Sequence, residues 1–153
     1  MVGPGAGDVA RETWVFDVDG CVVDSLTGTS LRPGARELLE TLRARDVAVV
    51  WWSGGGAEHA RRRAEHVRVV ELVDGYVAKL GRDADGAYVL DHVVDDPRFA
   101  VFVDDHPEDL PAWIDVIAVS TYLSDNPHDR GLAEAGRRGE SAKASPPTSA
   151  RTL

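Results

Sequence analysis

Two aspartates, one residue apart, are the feature of this sequence that points most directly to chemistry. Asp17 and Asp19 follow an apolar run at residues 14–16, which predicts a buried strand, and Gly20 then predicts a turn. Residues two apart in a strand point to the same side, so both carboxylates are expected to face one way. Two like charges this close repel unless a cation or a shared proton lies between them. The pair therefore favours catalysis or metal binding.

Two further apolar runs also end in polar residues. The run at residues 47–52 is followed by Ser53 and three glycines, and the run at residues 100–103 by Asp104 and Asp105. If these runs are parallel strands of one sheet, their carboxyl ends meet at the same edge, which is where sites form in α/β sheets. We therefore expect one shared site.

Clustered carboxylates suit metal-assisted attack on a phosphate monoester. A phosphoryl group is negative, so a carboxylate nucleophile needs a divalent cation beside it, and hard oxygen ligands favour Mg²⁺. Asp17 could bind the ion with one oxygen and attack with the other, while Asp104 and Asp105 complete the protein ligands. Asp19 would then protonate the leaving oxygen and later activate water.

Two more groups are needed to hold the phosphoryl oxygens. Ser53 offers a hydroxyl, and the glycines from Gly54 onward, at the predicted start of a helix, offer backbone N–H groups. A lysine is also expected. The chain has only two, and since Lys143 lies in the C-terminal tail, Lys79 is the candidate.

The pattern of apolar residues predicts the elements that position these groups. Apolar strands alternating with helices indicate an α/β fold around a mainly parallel sheet. Trp51 and Trp52 are expected to pack in the core on opposite faces of their strand. Helices are predicted after Pro33 and at residues 57–67 and 108–113, and strands at residues 14–16, 47–52, 76–80, 87–90, 100–103 and 115–121.

Composition sets the remaining bounds. The 153 residues predict one domain at residues 11–123, after a flexible N-terminus at residues 1–10 and before a polar, disordered tail at residues 124–153. The formal net charge of −9 argues against broad nucleic-acid binding. A single cysteine, Cys21, favours a reducing cytoplasm. No basic leader or apolar run indicates a signal peptide or a membrane span.

The order of these motifs resembles the signature of the haloacid dehalogenase (HAD) superfamily over roughly residues 14–122. The resemblance rests on four motifs in order, Asp17-Val18-Asp19-Gly20, Ser53, Lys79, and Asp104-Asp105 through Asp109. It implies a Rossmann-like, three-layer α/β/α fold. It also implies a Mg²⁺-dependent phosphatase that forms an aspartyl phosphate.

The resemblance assigns a role to each matching residue. Asp17 matches the nucleophile, and Asp19 matches the general acid/base, whose backbone carbonyl is a metal ligand in the family. Ser53 matches the residue that binds the phosphoryl group, and Lys79 the lysine that steadies the nucleophile and the phosphate.

The fourth motif is matched less simply. Asp105, with Asp109 four residues later, best fits the family's Gly-Asp-x-x-x-Asp pattern. Asp104 stands where that pattern often has glycine, so either aspartate of the pair could touch the metal. His106 follows the pair and is a candidate for the rim of the site, and Asp109 is a candidate for supporting the ligands.

The sequence also departs from the family pattern. Cys21 replaces a common threonine, and Lys79 is followed by Leu80-Gly81 and a hairpin pattern instead of a proline and a helix. The segments between the first three motifs are too short for an inserted cap domain. The resemblance is therefore to a capless member, whose open site suits large substrates or closes by oligomerisation, so that a homodimer is one expectation.

Several alternatives remain open at this stage. A nucleic-acid 3′-phosphatase or a phosphoprotein phosphatase would use the same fold, although the acidic net charge weakens the nucleic-acid case. A non-catalytic HAD-like binding or scaffold protein would keep the motifs without turnover. A phosphorylated receiver domain is disfavoured by the order of the motifs. In a receiver the acidic pair comes early in the chain and the lysine late, whereas here the acidic pair follows Lys79.

Other charged residues have simpler interpretations. The run Arg61-Arg62-Arg63 is typical of a solvated helix face, with a contact surface for an anionic substrate as the alternative. His59 and His66, seven residues apart, are expected to be exposed and not to bind a ligand. Cys21 has no neighbouring base in sequence and is not expected to act as a nucleophile.

Overall fold

A computed structural model describes residues 11–144, so the predicted N-terminal segment at residues 1–10 lies outside the described residues. Three 3-10 turns, at Val70–Leu72, Pro97–Phe99 and Pro107–Asp109, accompany the main elements. In chain order these elements are β1 (Thr13–Asp17), α1 (Ala35–Ala44), β2 (Ala48–Ser53), α2 (Ala57–His66), β3 (Gly75–Ala78), β4 (Ala100–Asp104), β5 (Asp115–Ala118) and α3 (Gly131–Ala144).

The five strands form one parallel sheet in the order β3-β2-β1-β4-β5. The predicted α/β fold with a parallel sheet is therefore confirmed. β1 is central, and its last residue, Asp17, is level with Trp52 of β2. Ser53 and Asp104 are the last residues of the two neighbouring strands. The register thus brings three predicted site residues to one edge.

The two faces of the sheet are covered differently. The first face carries Trp14, Phe16 and Trp51 and packs against all three helices. On the second face, Trp52 and Phe102 pack against loops and short turns, through side chains that include Leu90, Val93, Leu110 and Ile114. Trp51 and Trp52 are both fully buried, on opposite faces as predicted. Helices therefore cover one face of the sheet, and loops with short turns cover the other.

Two predicted elements of this irregular layer differ in the structure. Instead of a strand at residues 87–90 there is a single bridge between Arg82 and Tyr88, beside a turn in which the Asp83 carboxylate accepts hydrogen bonds from backbone N–H groups. Instead of a helix at residues 108–113 there is the 3-10 turn Pro107–Asp109. Pro111 has no N–H to continue a helix beyond that turn.

The predicted disordered tail is the largest correction. The structure describes residues 124–144 of this tail, and the chain from Gly131 to Ala144 forms α3. Leu132 and Ala135 are buried in the core, and Gly139 lies so close to the Trp14 indole that a Cβ atom there would collide with it. The tryptophan supplies the apolar surface that small helix residues lack. The rest of the predicted tail, residues 145–153, lies outside the described residues.

The connections around the site are short. The chain between β1 and β2 holds a loop and α1, and the chain between β2 and β3 holds α2 and one 3-10 turn. Residues 18–74 are all described, and they contain no further domain. None of the helices within residues 11–144 has the length and apolar character of a membrane span.

Candidate active site

Lys79 joins the carboxylates of two strands. It directly follows β3, and its backbone N–H donates to the Ser53 carbonyl of β2, which continues the sheet register by one residue. Its Nζ lies 2.8 Å from Asp17 Oδ1 and 3.6 Å from Asp104 Oδ2. The side chains of Lys79 and Asp17 are each only 10% exposed, so this ion pair is held in a largely dehydrated setting.

Aromatic rings enclose the lysine. Its Nζ lies 4.7 Å from the centroid of the Trp52 ring and 5.1 Å from that of Tyr88, within the range of cation–π attraction. Tyr88 comes from the loop that replaces the proline and helix of the family pattern. That departure therefore does not displace the lysine, and the loop supplies one of its walls.

A third carboxylate completes an acidic cluster. One oxygen from each of Asp17, Asp104 and Asp105 lies within 4.8 Å of the others. Asp105 Oδ2 accepts a hydrogen bond from the Thr121 hydroxyl at 2.8 Å, whereas Oδ1 is buried without a hydrogen-bond partner among the described residues. A buried carboxylate oxygen without a partner is costly, so it marks a place for a missing donor or cation.

The cluster fits a hard divalent cation. One lysine ammonium does not balance three carboxylates, and oxygen donors are the ligands that Mg²⁺ prefers, at about 2.0–2.1 Å from the ion. The spacing of the three oxygens allows them to converge on one ion with small side-chain movements. Asp17, Asp104 and Asp105 are therefore the side chains that would hold a metal.

Burial and charge perturb the proton affinities of this cluster. Burial, and then the neighbouring charge of Asp104, raise the pKa of Asp17 well above its usual range, although Lys79 acts in the opposite direction. Burial also raises the pKa of Asp104. For Lys79, burial alone would lower the pKa, but the charges of Asp17 and Asp104 outweigh it and raise the pKa. Lys79 is therefore protonated and supplies a positive charge beside the carboxylates.

Ser53 lies buried at the end of β2, beside Asp17 of β1 and before the loop that starts α2. Its Oγ accepts a hydrogen bond from Gly55 N at 3.1 Å, which folds the loop back over the serine. Gly54 is exposed, with nothing within 4 Å of the position that a Cβ would take. The hydroxyl of Ser53 and the open backbone at Gly54 are both suited to receive an anion.

The carboxylate of Asp19 is not part of the acidic cluster. Its Oδ2 lies 2.7 Å from His59 Nε2, and its Oδ1 lies 3.4 Å from Arg63 Nε. Both partners are on α2, one turn apart. From the sequence, His59 and the arginine run were expected to be exposed, and their contact with Asp19 was not predicted. The signal that could have revealed it is their four-residue spacing on the helix that follows the strand next to β1.

The two candidates around the fourth motif occupy different places. Asp109 pairs with Arg82 at 3.1 Å and is not one of the three clustered carboxylates. The ring of His106 is 58% exposed at the rim, while its backbone N–H donates to Asp104 Oδ1 at 2.8 Å. A hydrogen bond to Glu108 and the charge of Asp105 raise the pKa of His106.

Comparisons with known proteins give the fold a name. No protein-family model matches the sequence, and no curated protein matches it. Among solved structures, an uncharacterized protein from Listeria monocytogenes serotype 4b is 15% identical, with a TM-score of 0.64 over 88% of this chain and 99% of that one. The haloacid dehalogenase-like hydrolase SP0104 from Streptococcus pneumoniae is 13% identical, with a TM-score of 0.60 over 81% and 90%.

This chain has the haloacid dehalogenase-like fold. A third similar structure is the core domain of a protein named as a candidate phosphoglycolate phosphatase from Streptococcus pneumoniae, 15% identical, with a TM-score of 0.50 over 88% and 99%. At these identities the likeness concerns the fold. The four motifs expected in the HAD-like fold, at Asp17, Ser53, Lys79 and Asp104, all lie at the carboxyl edge of the parallel sheet.

Cys21 is the other departure from the family pattern, and it is structural in this HAD-like fold. Its side chain is fully buried, with Sγ 3.5 Å from the Val103 carbonyl oxygen. Burial, followed by the charges of the acidic cluster, raises the pKa of the thiol well above its usual range. The neutral thiol therefore dominates, which is the opposite of what a nucleophile needs.

Proposed function

We propose that this protein is a Mg²⁺-dependent phosphomonoesterase that works through an aspartyl phosphate on Asp17. The observation that carries the proposal is the cluster of Asp17, Asp104 and Asp105, in which Lys79 pairs with the first two. One oxygen of Asp105 is buried without a hydrogen-bond partner among the described residues. The names of two similar structures, a HAD-like hydrolase and a candidate phosphoglycolate phosphatase, support the same reaction class.

In the first proposed half-reaction, an oxygen of Asp17 attacks phosphorus and the bond from phosphorus to the leaving oxygen breaks. Asp19 gives its proton to the departing oxygen, so that an alcohol leaves. The Ser53 hydroxyl, the backbone N–H of Gly54 and the Lys79 ammonium hold the phosphoryl oxygens. A bound Mg²⁺ would neutralise charge between the phosphoryl group and the carboxylates.

In the second half-reaction, Asp19 takes a proton from water while the water oxygen attacks the phosphorus of the aspartyl phosphate. The bond from phosphorus to Asp17 breaks, which releases inorganic phosphate and restores the free carboxylate. Asp19 is then protonated again for the next cycle, so one residue serves as acid and then as base.

No contact among the described residues of the site favours a nucleic-acid 3′-phosphatase or a phosphoprotein phosphatase. Of the arginine run, Arg63 is turned towards Asp19, and Arg61 pairs with Glu65 of its own helix at 3.2 Å. These pairings involve two of the three arginines, and Arg62 is exposed on the same helix. The short connections around the site are compatible with a large substrate. The homodimer and the cytoplasmic location stay predictions.

The test is release of phosphate from a broad panel of phosphate monoesters, with Mg²⁺ and with a chelator. We expect turnover that needs the metal and is lost in Asp17→Asn. The matched control is Asp46→Asn, which removes an exposed carboxylate far from the sheet edge and should keep full activity. No turnover by the wild type across the panel would contradict the proposal and favour a binding or scaffold role.

A further inference from the structure

His59 and Arg63 hold the carboxylate of Asp19 from one side. His59 Nε2 lies 2.7 Å from Asp19 Oδ2, a short hydrogen bond, whereas Arg63 Nε lies 3.4 Å from Oδ1 and has no hydrogen-bond partner among the described residues. Residues four apart on a helix share a face, so both partners reach the same carboxylate. One oxygen is therefore firmly anchored, and the other is held loosely by charge.

Two glycines make room for this arrangement. A Cβ on Gly55 would lie 2.8 Å from Cγ and Cδ2 of the His59 ring, so a side chain there would push the histidine away. A Cβ on Gly28 would collide with the Arg63 guanidinium, and the φ of Gly28 is +67°, a conformation that favours glycine. The histidine and the arginine are thus each packed directly against a loop backbone.

The loop that carries Gly28 is itself fixed. The Asp24 carboxylate accepts hydrogen bonds from the backbone N–H groups of Thr27, Thr29 and Ser30 and from the Thr27 hydroxyl. Its neighbours Ser25 and Leu26 donate backbone hydrogen bonds to the carbonyls of Tyr122 and Leu123. This support keeps Gly28 against Arg63.

From this geometry we infer that His59, assisted by Arg63, is a positioning residue for Asp19 in proton transfer to the leaving oxygen. The inference rests on the proposed function. His59 anchors Oδ2 at 2.7 Å, so Oδ1, which Arg63 approaches only to 3.4 Å, is the oxygen that exchanges the proton. An Asp19 without its anchor would sample other rotamers, and a misplacement of about 1 Å in a reacting group can cost on the order of 10²-fold in rate.

Substrates with different leaving groups can distinguish a positioning role of His59 from a purely structural one. A p-nitrophenolate leaves without a proton, whereas the alkoxide of an alkyl phosphate needs one. The value of kcat/KM reports the steps up to departure of the leaving group and excludes the later attack by water. A variant with a misplaced general acid should therefore lose kcat/KM on alkyl phosphates and keep it on p-nitrophenyl phosphate.

The experiment measures kcat/KM for p-nitrophenyl phosphate and glycerol 2-phosphate in the wild type and in His59→Ala, His59→Gln, Arg63→Ala and His66→Ala. For His59→Ala we expect a loss of roughly 10- to 100-fold on glycerol phosphate and less than about threefold on the aryl ester. His59→Gln retains a side-chain N–H donor and should recover most of the loss. His66→Ala removes an exposed histidine of the same helix and should change neither value.

Arg63→Ala should show the same selective loss at a smaller size, because its contact is longer. Equal losses on both substrates in His59→Ala and His59→Gln, or no loss at all, would overturn the inference while leaving the proposed function intact. A wild type that hydrolyses only aryl phosphates would also overturn it, because no general acid would then be at work. A wild type that hydrolyses neither these two esters nor any other member of the phosphate panel would contradict the proposed function itself.

Discussion

The two sides of the site hold their carboxylates in different ways. Asp17 ends a central strand, its side chain is 10% exposed, and it faces other carboxylates and a buried lysine. Asp19 lies in the following loop, its side chain is 36% exposed, and it faces a histidine and an arginine on α2. The sheet register fixes the first group, whereas a helix face positions the second. The proposed nucleophile and the proposed general acid are therefore positioned by different elements of the fold.

A third carboxylate shows that burial alone does not set the proton affinity. Asp17 and Asp24 are both buried, but burial and a neighbouring charge raise the pKa of Asp17, with only Lys79 as a donor in opposition. Asp24 is also disfavoured by burial, yet its hydrogen bonds from Thr27, Ser30 and Thr29 lower its pKa to about 2. At Asp24, the hydrogen bonds thus outweigh the effect of burial and favour the ionised carboxylate.

Removing the carboxylate of Asp17, the proposed nucleophile on the buried side of the site, should have the largest effect. Asp17→Asn keeps the shape of the side chain but cannot form the aspartyl phosphate, so we expect turnover to fall by on the order of 10³-fold or more. The measurement is Mg²⁺-dependent phosphate release from the best substrate of the panel. Residual turnover within tenfold of the wild type would place the nucleophile elsewhere.

Removing the lysine should have the next largest effect. In Lys79→Ala the carboxylates of Asp17 and Asp104 lose their cation, and a hydrogen bond between charged groups contributes roughly 1.5–3 kcal/mol. We therefore expect kcat/KM to fall by about 10- to 100-fold. Arg98→Ala removes an exposed cation that pairs with Asp96, two residues away in sequence, and serves as the control. Unchanged kinetics in Lys79→Ala would remove the lysine from the site.

Stabilisation by Mg²⁺ should depend on the aspartates of the acidic cluster and not on the other aspartates. A ligand that binds only the folded state at 100 times its Kd stabilises the protein by about 2.7 kcal/mol, so the melting temperature should rise by several degrees. Asp105→Asn should abolish this rise, because Asp105 carries the unpaired oxygen. Asp109→Asn should preserve it, since Asp109 pairs with Arg82. A loss of the rise in both variants would make Asp109 part of the metal site.

The smallest effect is expected at Asp24 and concerns stability. Its pKa is about 2 in the folded protein and about 3.9 in an unfolded chain, a difference that contributes roughly 2–3 kcal/mol. Because the folded pKa is the lower one, this stability is present above pH 4 and is lost as the pH falls towards 2. The free energy of unfolding of Asp24→Ala, measured against pH, should therefore differ from the wild type at pH 6 and converge with it near pH 2. A constant difference would contradict the role of ionised Asp24.

The sequence was sufficient to predict the buried side of the site. Asp17, Ser53 and Asp104 each end an apolar run, and parallel strands bring such ends to one edge whatever covers the sheet. Lys79 was found by elimination among two lysines, and the structure places it 2.8 Å from Asp17. These predictions depended on strand periodicity, which is a local property of the chain.

The rest depended on contacts that no local pattern contains. His59 reaches Asp19 across 40 residues, through the packing of α2 beside the loop after β1. α3 was predicted as a disordered tail because its buried positions, Leu132, Ala135 and Gly139, are mostly small. That helix packs against the large indole of Trp14, 125 positions earlier in the chain. Both features depend on contacts between residues distant in sequence, which the pattern of apolar residues does not show.

The central claim, that Asp17 receives the phosphoryl group, is tested most directly by a crystal structure of the protein with Mg²⁺ and beryllium fluoride, a mimic of a phosphoryl group. We expect the fluoride complex to be bonded to a carboxylate oxygen of Asp17, within reach of Ser53 and Lys79. The metal should contact Asp17 and the pair Asp104-Asp105. A fluoride complex bonded to any other residue, with Asp17 free, would contradict the account.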